Sequence, residues 1–471
     1  MKSFKITGGY TDYYEVTMGQ AYFLKGNLHT QASFDYFFRK IPFGGGYVVF
    51  AGLQHLLEII EDFRFEDKEL DIFKQKGLDE NYLDYLKGFR FNGNVFSIPE
   101  GELAFPNTPI VRVEGNIIET QIIETILLNF LNFHSLIATK ASRMSEAAKG
   151  RILSDFGLRR AQGLGAIHAS VAAVIGGFKS TSNIKSAVDF GTEVSGTMAH
   201  SYVQSQDDEL TAFRNYADAH PDSCILLVDT YDTLKSGVPN AIKVARELKE
   251  KGKSLMAIRL DSGDLAYQAK KARRMLDEAD FKEVKIVASN QLDEYVIKSL
   301  LDQGAPIDIF GVGTRLVTGD PDGALDGVYK LAFSDGKPRM KLSENLSKMT
   351  LPGRKKLYRI MGENGHFHGA DLITLEEEDI PKRMFHPLDK EKNMDISSLR
   401  KDELLKKVMD NGKTLKKNQS IEDIASFSKD RLEKLPPEFK RFENPHVYKV
   451  GISPGLMELG DSLRKKFLSD L

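Results

Sequence analysis

The sequence predicts an α/β fold built around a barrel, and three observations lead there. Between about residue 150 and residue 335, short apolar runs alternate with helical segments, the pattern of parallel strands joined by right-handed crossovers. Polar and charged residues gather after each run, at the carboxyl ends of the strands, where α/β enzymes keep their chemistry. No early strand carries a G-x-G-x-x-G turn at a helix start, which favours a barrel over an open doubly wound sheet.

Residues 1–140 read as an N-terminal α+β domain, which C-terminal segments can also join. Thr11-Asp12 opens a helix over 13–24, rich in aromatics (Tyr13, Tyr14, Tyr22, Phe23). Phe34 to Phe38 is β-prone, and Gly44-Gly45-Gly46 marks a turn or a close backbone approach. An amphipathic helix follows over 54–63, and prolines at 99, 106 and 109 divide 93–115 into short strands and turns. The stretch 119–138 is apolar at helical spacing and predicts a buried helix.

The barrel is expected over 141–335. Its apolar runs each lead into a polar cluster. Ile152-Leu153 leads to Asp155-Phe156-Gly157-Leu158-Arg159-Arg160, and Val188 to Phe190, taken as a further run, leads on to Gly196-Thr197-Met198-Ala199-His200-Ser201. Ile225 to Val228 leads to Asp229-Thr230-Tyr231-Asp232, and Leu255 to Ile258 to Arg259, Asp261 and Asp264. Val284 to Val287 leads to Ala288-Ser289-Asn290, and Ile307 to Phe310 to Gly311-Val312-Gly313-Thr314. Helices are expected over 240–251, 265–278 and 293–303. The C-terminal region, 336–471, is polar and Lys-rich; it predicts a surface helix over 399–410 and an amphipathic terminal helix over 456–468, with no catalytic constellation.

Composition excludes several classes. The 471 residues carry 65 basic and 67 acidic side chains, a net charge of −2, so there is no general electrostatic footprint for nucleic acid or an anionic membrane. Cys224 is the only cysteine, which rules out an intrachain disulfide and a Cys-rich zinc site. No apolar run is long enough to span a bilayer, and MKSFKITGGYTDYY lacks the apolar core of a signal peptide. A cytoplasmic location is expected.

Several of these clusters can carry chemistry. Side chains alternate along a strand, so Arg259 and Asp261 project to one side, either as a structural pair or as part of a polar site. Arg159 and Arg160 are a solvated surface pair, or a clamp for a carboxylate or phosphate. The Gly311-to-Thr314 turn lets backbone N–H groups approach phosphate oxygens, although tight turns use the same residues. His200, with Thr197 and Ser201 and a place at a helix start, suits anion handling. Asp229 serves either as a helix N-cap or as an acceptor for a sugar hydroxyl.

In order along the chain, SDFGLRR, GTMAHS, LLVDTYDT, RLDSGDL, ASNQLDE and FGVGT resemble the nicotinate phosphoribosyltransferase family, as do TDYYEVT near the start and FPNTPIVRVEG at 105–115. The resemblance implies an irregular α/β barrel of the type II phosphoribosyltransferase kind, with an N-terminal α+β domain and a C-terminal extension. It implies an enzyme that joins nicotinate to phosphoribosyl pyrophosphate, giving nicotinate mononucleotide and pyrophosphate in NAD biosynthesis. ATP would be a co-substrate, its hydrolysis coupled through a transient phosphohistidine at His200, and Mg2+ would enter with pyrophosphate. The working form would be a homodimer with shared active sites, Tyr14 of one copy stacking on the pyridine opposite Phe156 of the other. Asp229 and Asp261 would hold ribose hydroxyls or the magnesium, and Arg159 and Arg259 the nicotinate carboxylate or pyrophosphate. Thr197 would accept the ring substituent, where the amide-using relative has an acidic residue that repels a carboxylate. Ser289, Asn290, Gly313 and Thr314 would hold the phosphoribosyl moiety. Some members bind zinc through cysteines in the C-terminal third; this chain has none there, so no zinc is expected.

The competing readings are a nicotinamide or quinolinate phosphoribosyltransferase, a Schiff-base lyase on the same barrel using Lys179 or Lys185, and a non-catalytic phosphosugar-binding protein. Mass spectrometry of the product, borohydride trapping, and binding without turnover separate them.

Overall fold

The computed structural model describes residues 5–343, 349–415 and 419–469; the first four residues of the MKSFKITGGYTDYY terminus lie outside them. The chain divides into two compact units. One comprises Met1–Leu136, Ala324–Gln419 and Ser426–Leu471, and the other Ile137–Gly323 with Ser420–Ala425. Ala324–Gln419 and Ser426–Leu471 thus share a unit with the N-terminal third.

The second unit holds the parallel sheet. Its strands run in the order Ser180–Thr181, Ile152–Asp155, Ile309–Val312, Lys285–Ser289, Ala257–Leu260, Ile225–Leu227, every neighbouring pair parallel. A parallel bridge between Thr181 and Val194 extends the arc by one more segment. Among the described residues no ladder joins that segment back to Ile225–Leu227, so the α/β barrel is irregular. The strands are continuous apolar runs because helices cover them: Leu226, Leu227, Ile258, Leu260, Ile286 and Phe310 are all buried. The helix Leu265–Glu278 starts where the Asp264 carboxylate accepts the Tyr267 N–H at 3.0 Å, a cap worth about 1 kcal/mol, and buries Leu265, Ala266, Ala269, Ala272 and Leu276. The helices Val238–Glu250 and Glu294–Asp302 fall within a few residues of expectation.

The run Val188 to Phe190 is not a strand. It ends the helix Ile184–Phe190, started by Asn183, whose side chain accepts the Ser186 N–H. Three residues are too few to fix a period, and Ile184 and Val188 stand four apart on an exposed helical face.

The first unit carries an antiparallel sheet in the order Lys337–Pro338, Gly327–Ser334, Gln31–Phe38, Val111–Asn116, Asn94–Ser97, Lys406–Asp410, Lys413–Thr414. Phe34, Tyr36 and Phe38 feed its core, and the Phe34 and Tyr329 rings stack at 4.7 Å across neighbouring strands. A second, six-stranded sheet contains Lys355–Met361, Phe367–Leu375 and Arg400–Glu403. The helix expected over 399–410 is thus two strands, Arg400–Glu403 and Lys406–Asp410. Each finds a ladder partner, Lys355–Met361 and Asn94–Ser97 respectively, and pairing overrides the helical propensity of a Lys-rich stretch. The terminal helix forms over Pro454–Ser469. The expected helix over 119–138 is two, Ile117–Ile122 and Glu124–Ala148. Gly46 makes the close approach anticipated for the triple glycine: a Cβ there would lie 2.1 Å from the Phe439 carbonyl oxygen. No helix among the described residues is long and apolar enough to cross a membrane.

The aromatic helix Tyr13–Leu24 starts after Asp12, whose side chain makes no capping bond. Glu15 anchors it instead. Its carboxylate is buried, with Thr125 donating from N at 3.0 Å and from Oγ1 at 2.6 Å, and Thr11 donating from the other side. Burial lifts the Glu15 carboxyl from 4.5 to about 7, against the pull of the threonine donors. A carboxyl whose folded-state value is raised binds its proton more tightly in the folded chain. Its stabilisation is therefore present below the unfolded value and is lost as pH rises towards the folded one. Glu15→Gln keeps an acceptor without the charge. Thermal melts should show the variant gaining on the parent by up to roughly 3 kcal/mol at about pH 8 and differing little near pH 5. A gain of the same size at both pH values would show that the charge of Glu15 is not what costs stability.

Candidate active site

The polar cluster sits at the carboxyl ends of the parallel strands, and Arg259 is its hub. Arg259 lies on Ala257–Leu260, flanked in register by Leu227 and Val287. Its side chain is only 12% exposed. Nε donates to Ser289 Oγ at 3.0 Å, and Nη1 donates to Thr197 Oγ1 at 2.7 Å and to the Met198 carbonyl at 3.2 Å. Nη2 lies 3.5 Å from Asp261 Oδ1, so the alternation of side chains does put Arg259 and Asp261 on one side. Ser289 closes the circuit by donating to Asp261 Oδ1 at 2.5 Å. The guanidinium carbon stands 5.7 Å from the centre of the Phe156 ring.

His200 begins the short helix His200–Gln204. Its Nδ1 shares a hydrogen bond with Thr230 Oγ1 at 3.1 Å, while Nε2 faces Asp261 Oδ2 at 3.7 Å and Asp229 Oδ1 at 4.0 Å. Asp229 is not a helix cap; Asp232 performs that task for the segment Thr233–Gly237. Asp229 Oδ2 instead accepts from the Asp261 N–H at 2.9 Å and from Ser262 Oγ at 2.6 Å, which fixes the turn after Arg259. Its other oxygen, Oδ1, is buried with no hydrogen-bond partner. A carboxylate oxygen left so, beside a histidine, is a place for a ligand proton or cation.

Phe156, Thr197, His200, Asp229, Arg259, Asp261 and Ser289 therefore converge. Gly313 is close by: a Cβ there would lie 3.4 Å from the Phe156 carbonyl oxygen, and Thr314 opens the short helix Thr314–Val317. Asn290 follows Ser289 with a positive φ of 93°, its side chain accepting the Gln291 N–H at 2.9 Å. Arg159 lies on the exposed turn Leu158–Arg160 and does not join the hydrogen-bonded set. Tyr14 belongs to the other unit, where its ring is about half exposed. Its hydroxyl is pushed up by burial and by Glu124, Glu15 and Asp12.

Other residues of the site were not singled out from the sequence. Asp155 ends its strand buried, its Oδ1 accepting the Gly157 N–H at 2.7 Å. Ser170 and Thr181 donate to Oδ2 at 2.7 and 2.8 Å. Burial raises the Asp155 carboxyl above the usual carboxylate range, against these donors. Ser154, Ser180 and Ser195 form a ring of hydroxyls at 2.6–3.0 Å. Gly311 is required by Phe156, whose ring would be 2.3 Å from any Cβ there. The available signal was an acid at the end of an apolar run, separated from Ile152-Leu153 only by Ser154, much as Asp229 follows Val228.

Three family models match in sequence. They are the nicotinate phosphoribosyltransferase N-terminal domain over residues 10–132, the nicotinate phosphoribosyltransferase family over 152–350 and the C-terminal domain over 354–460. The chain is 44% identical over 454 residues to a nicotinate phosphoribosyltransferase of Bacillus subtilis, covering 94% of this chain and 92% of that protein. This chain belongs to the nicotinate phosphoribosyltransferase family. The crystal structure of human nicotinic acid phosphoribosyltransferase superposes with a TM-score of 0.86 at 30% identity, covering 96% of this chain and 99% of the human one. A nicotinate-nucleotide pyrophosphorylase from Pyrococcus furiosus superposes with a TM-score of 0.73 at 25% identity, covering 92% and 99%. The cluster around Arg259 thus lies within the part of the chain matched by the model that bears the family's name.

Proposed function

We propose that this nicotinate phosphoribosyltransferase family member joins nicotinate to phosphoribosyl pyrophosphate, releasing nicotinate mononucleotide and pyrophosphate as a step in NAD biosynthesis. The observation that carries the reading is the Arg259 guanidinium, held by Thr197, Ser289 and Asp261 beside the Phe156 ring. A flat ring with a carboxylate is met by an aromatic face and by N–H donors. Thr197 adds a hydroxyl and no negative charge, which favours nicotinate over its amide. The pyridine nitrogen brings its own lone pair, so no strong general base is needed. The work is positioning and charge: pyrophosphate leaves an oxocarbenium-like ribose, as in glycoside cleavage, and Asp229 and Asp261 are placed to hold hydroxyls and stabilise positive charge.

Magnesium fits the same carboxylates. Asp229 Oδ1 is buried without a partner, and Asp261 Oδ2 faces the same histidine nitrogen. An ion held there would be carried largely by phosphates and water. When bound, the ion would neutralise charge on departing pyrophosphate. The working form is a homodimer in the cytoplasm, with Tyr14 supplied to the site of a second copy. The exposed apolar side chains Leu158, Leu164, Ile184, Val188 and Val194 support a partner surface in the barrel unit.

ATP is coupled through phosphorylation of His200, whose ring is 38% exposed and faces two carboxylates. Incubation with nicotinate, phosphoribosyl pyrophosphate, magnesium and ATP should give nicotinate mononucleotide and a phosphorylated chain in one mass spectrum. His200→Asn should still form product but lose both the phosphorylated species and stimulation by ATP. Full stimulation in that variant would end the phosphohistidine reading while leaving the transferase reading intact. The lyase alternative finds no support: Lys179 and Lys185 are 69% and 62% exposed and ion-paired with Glu193 and Asp189, not desolvated.

A further inference from the structure

We infer that Asp155 is a positioning residue for nicotinate, setting the angle of the Phe156 ring through a carboxylate that is itself beyond reach of any substrate. The inference rests on Phe156 being the face against which the pyridine packs. Asp155 is 1% exposed, so it acts only through its neighbours. Three donors converge on it: the Gly157 N–H on one oxygen, and the hydroxyls of Ser170 and Thr181 on the other. Its backbone oxygen accepts the Ser182 N–H at 2.8 Å. The side-chain bond to Gly157 spans Phe156, closing a turn around the one residue whose ring must be aimed. On the other side, the Phe156 N–H donates to the Val312 carbonyl at 2.7 Å, and the ring lies against Gly311. Phe156 is thus fixed from the strand before it, the strand beside it and the carboxylate next to it in sequence.

The donor set explains why an acid is needed here. A carboxylate accepts on both oxygens. An asparagine has one oxygen and must turn its amide N–H groups either towards the Gly157 N–H or towards the two hydroxyls. Thr181 Oγ1 already accepts the Asn183 N–H at 3.1 Å, so the rearrangement reaches the next loop as well. Volume is kept, but either the turn loses its bond from Gly157 or the two hydroxyls must reverse and accept in place of donating.

The test is steady-state kinetics on Asp155→Asn and on Thr181→Val, which removes one of the three donors to Asp155 together with the acceptor of the Asn183 N–H. We expect the KM for nicotinate to rise about tenfold in the first and about threefold in the second, with kcat within about threefold and the KM for phosphoribosyl pyrophosphate within about twofold. A residue with only a structural role would lower the active fraction, reducing apparent kcat and leaving both KM values unchanged. That result in both variants would overturn the inference. Phe156→Leu is the reference. If it leaves the nicotinate KM unchanged, the platform reading fails and the inference with it. If it raises that KM and Asp155→Asn does not, only the positioning role of Asp155 is lost.

Discussion

Arg259→Met lowers kcat/KM for nicotinate mononucleotide formation by about a thousandfold, corresponding to roughly 4 kcal/mol of transition-state stabilisation. The size follows from the number of partners that lose their donor at once: Ser289, Thr197, the Met198 carbonyl and Asp261. Methionine matches much of the length but offers no N–H and no charge. Asp261 is then left without its cation. Arg259→Lys should recover only part of the rate, because one ammonium cannot serve three directions as a planar fork does. Initial rates with phosphoribosyl pyrophosphate varied at saturating nicotinate, and the reverse, measure the effect. A loss smaller than about tenfold in a folded variant would reduce Arg259 to a structural pair.

The second large effect is on stability and lies far from this chemistry. Arg359 is buried in the first unit and joins two strands: it stands opposite Asp371 in register and donates to it twice, each at 3.0 Å. It also donates to Glu102 and, at 2.7 Å, to the Leu103 carbonyl. Arg431 donates to the same Glu102 at 2.8 Å, and the Tyr448 hydroxyl to Asp371 at 2.9 Å. Two arginines and two carboxylates thus neutralise one another with little water, beneath the stacked rings of Phe105 and Tyr448. Arg359→Met leaves a buried negative charge without compensation and should cost about 3–5 kcal/mol. Urea unfolding followed by circular dichroism would show the midpoint falling, while kcat/KM of the protein that remains folded stays near the parent value. An unchanged midpoint would mean the carboxylates find other partners.

The sequence could announce the barrel strands because strands covered on both faces must be apolar along their whole length, and the polar residues after them are then conspicuous. Arg259, Asp229 and Ser289 all follow such runs. Asp155 follows one too, yet its partners Ser170 and Thr181 are common residue types whose meaning depends on a fold not visible locally. The run at Val188 misled because two apolar residues, Val188 and Phe190, on either side of Asp189 fit a strand's alternation as well as a helix end. The strands Arg400–Glu403 and Lys406–Asp410 were hidden for another reason: mostly charged and only partly buried, they owe their form to ladders with residues far away in sequence. That C-terminal segments could join the N-terminal domain was an expectation, but the pairing that makes the unit discontinuous was illegible, since nothing in Gln31–Phe38 reveals that its neighbour is Gly327–Ser334.

That discontinuity bears on how the chain is made. One edge of Gln31–Phe38 stays open until Gly327–Ser334 has left the ribosome. About 290 residues, translated at roughly 5–20 per second, separate the two strands, so the wait lasts about 15–60 s. During that interval Phe34, Tyr36 and Phe38 belong to a half-built sheet, which nascent-chain chaperones would be expected to shield. The inserted unit, by contrast, has all its described strands in one stretch, and its sheet can form first.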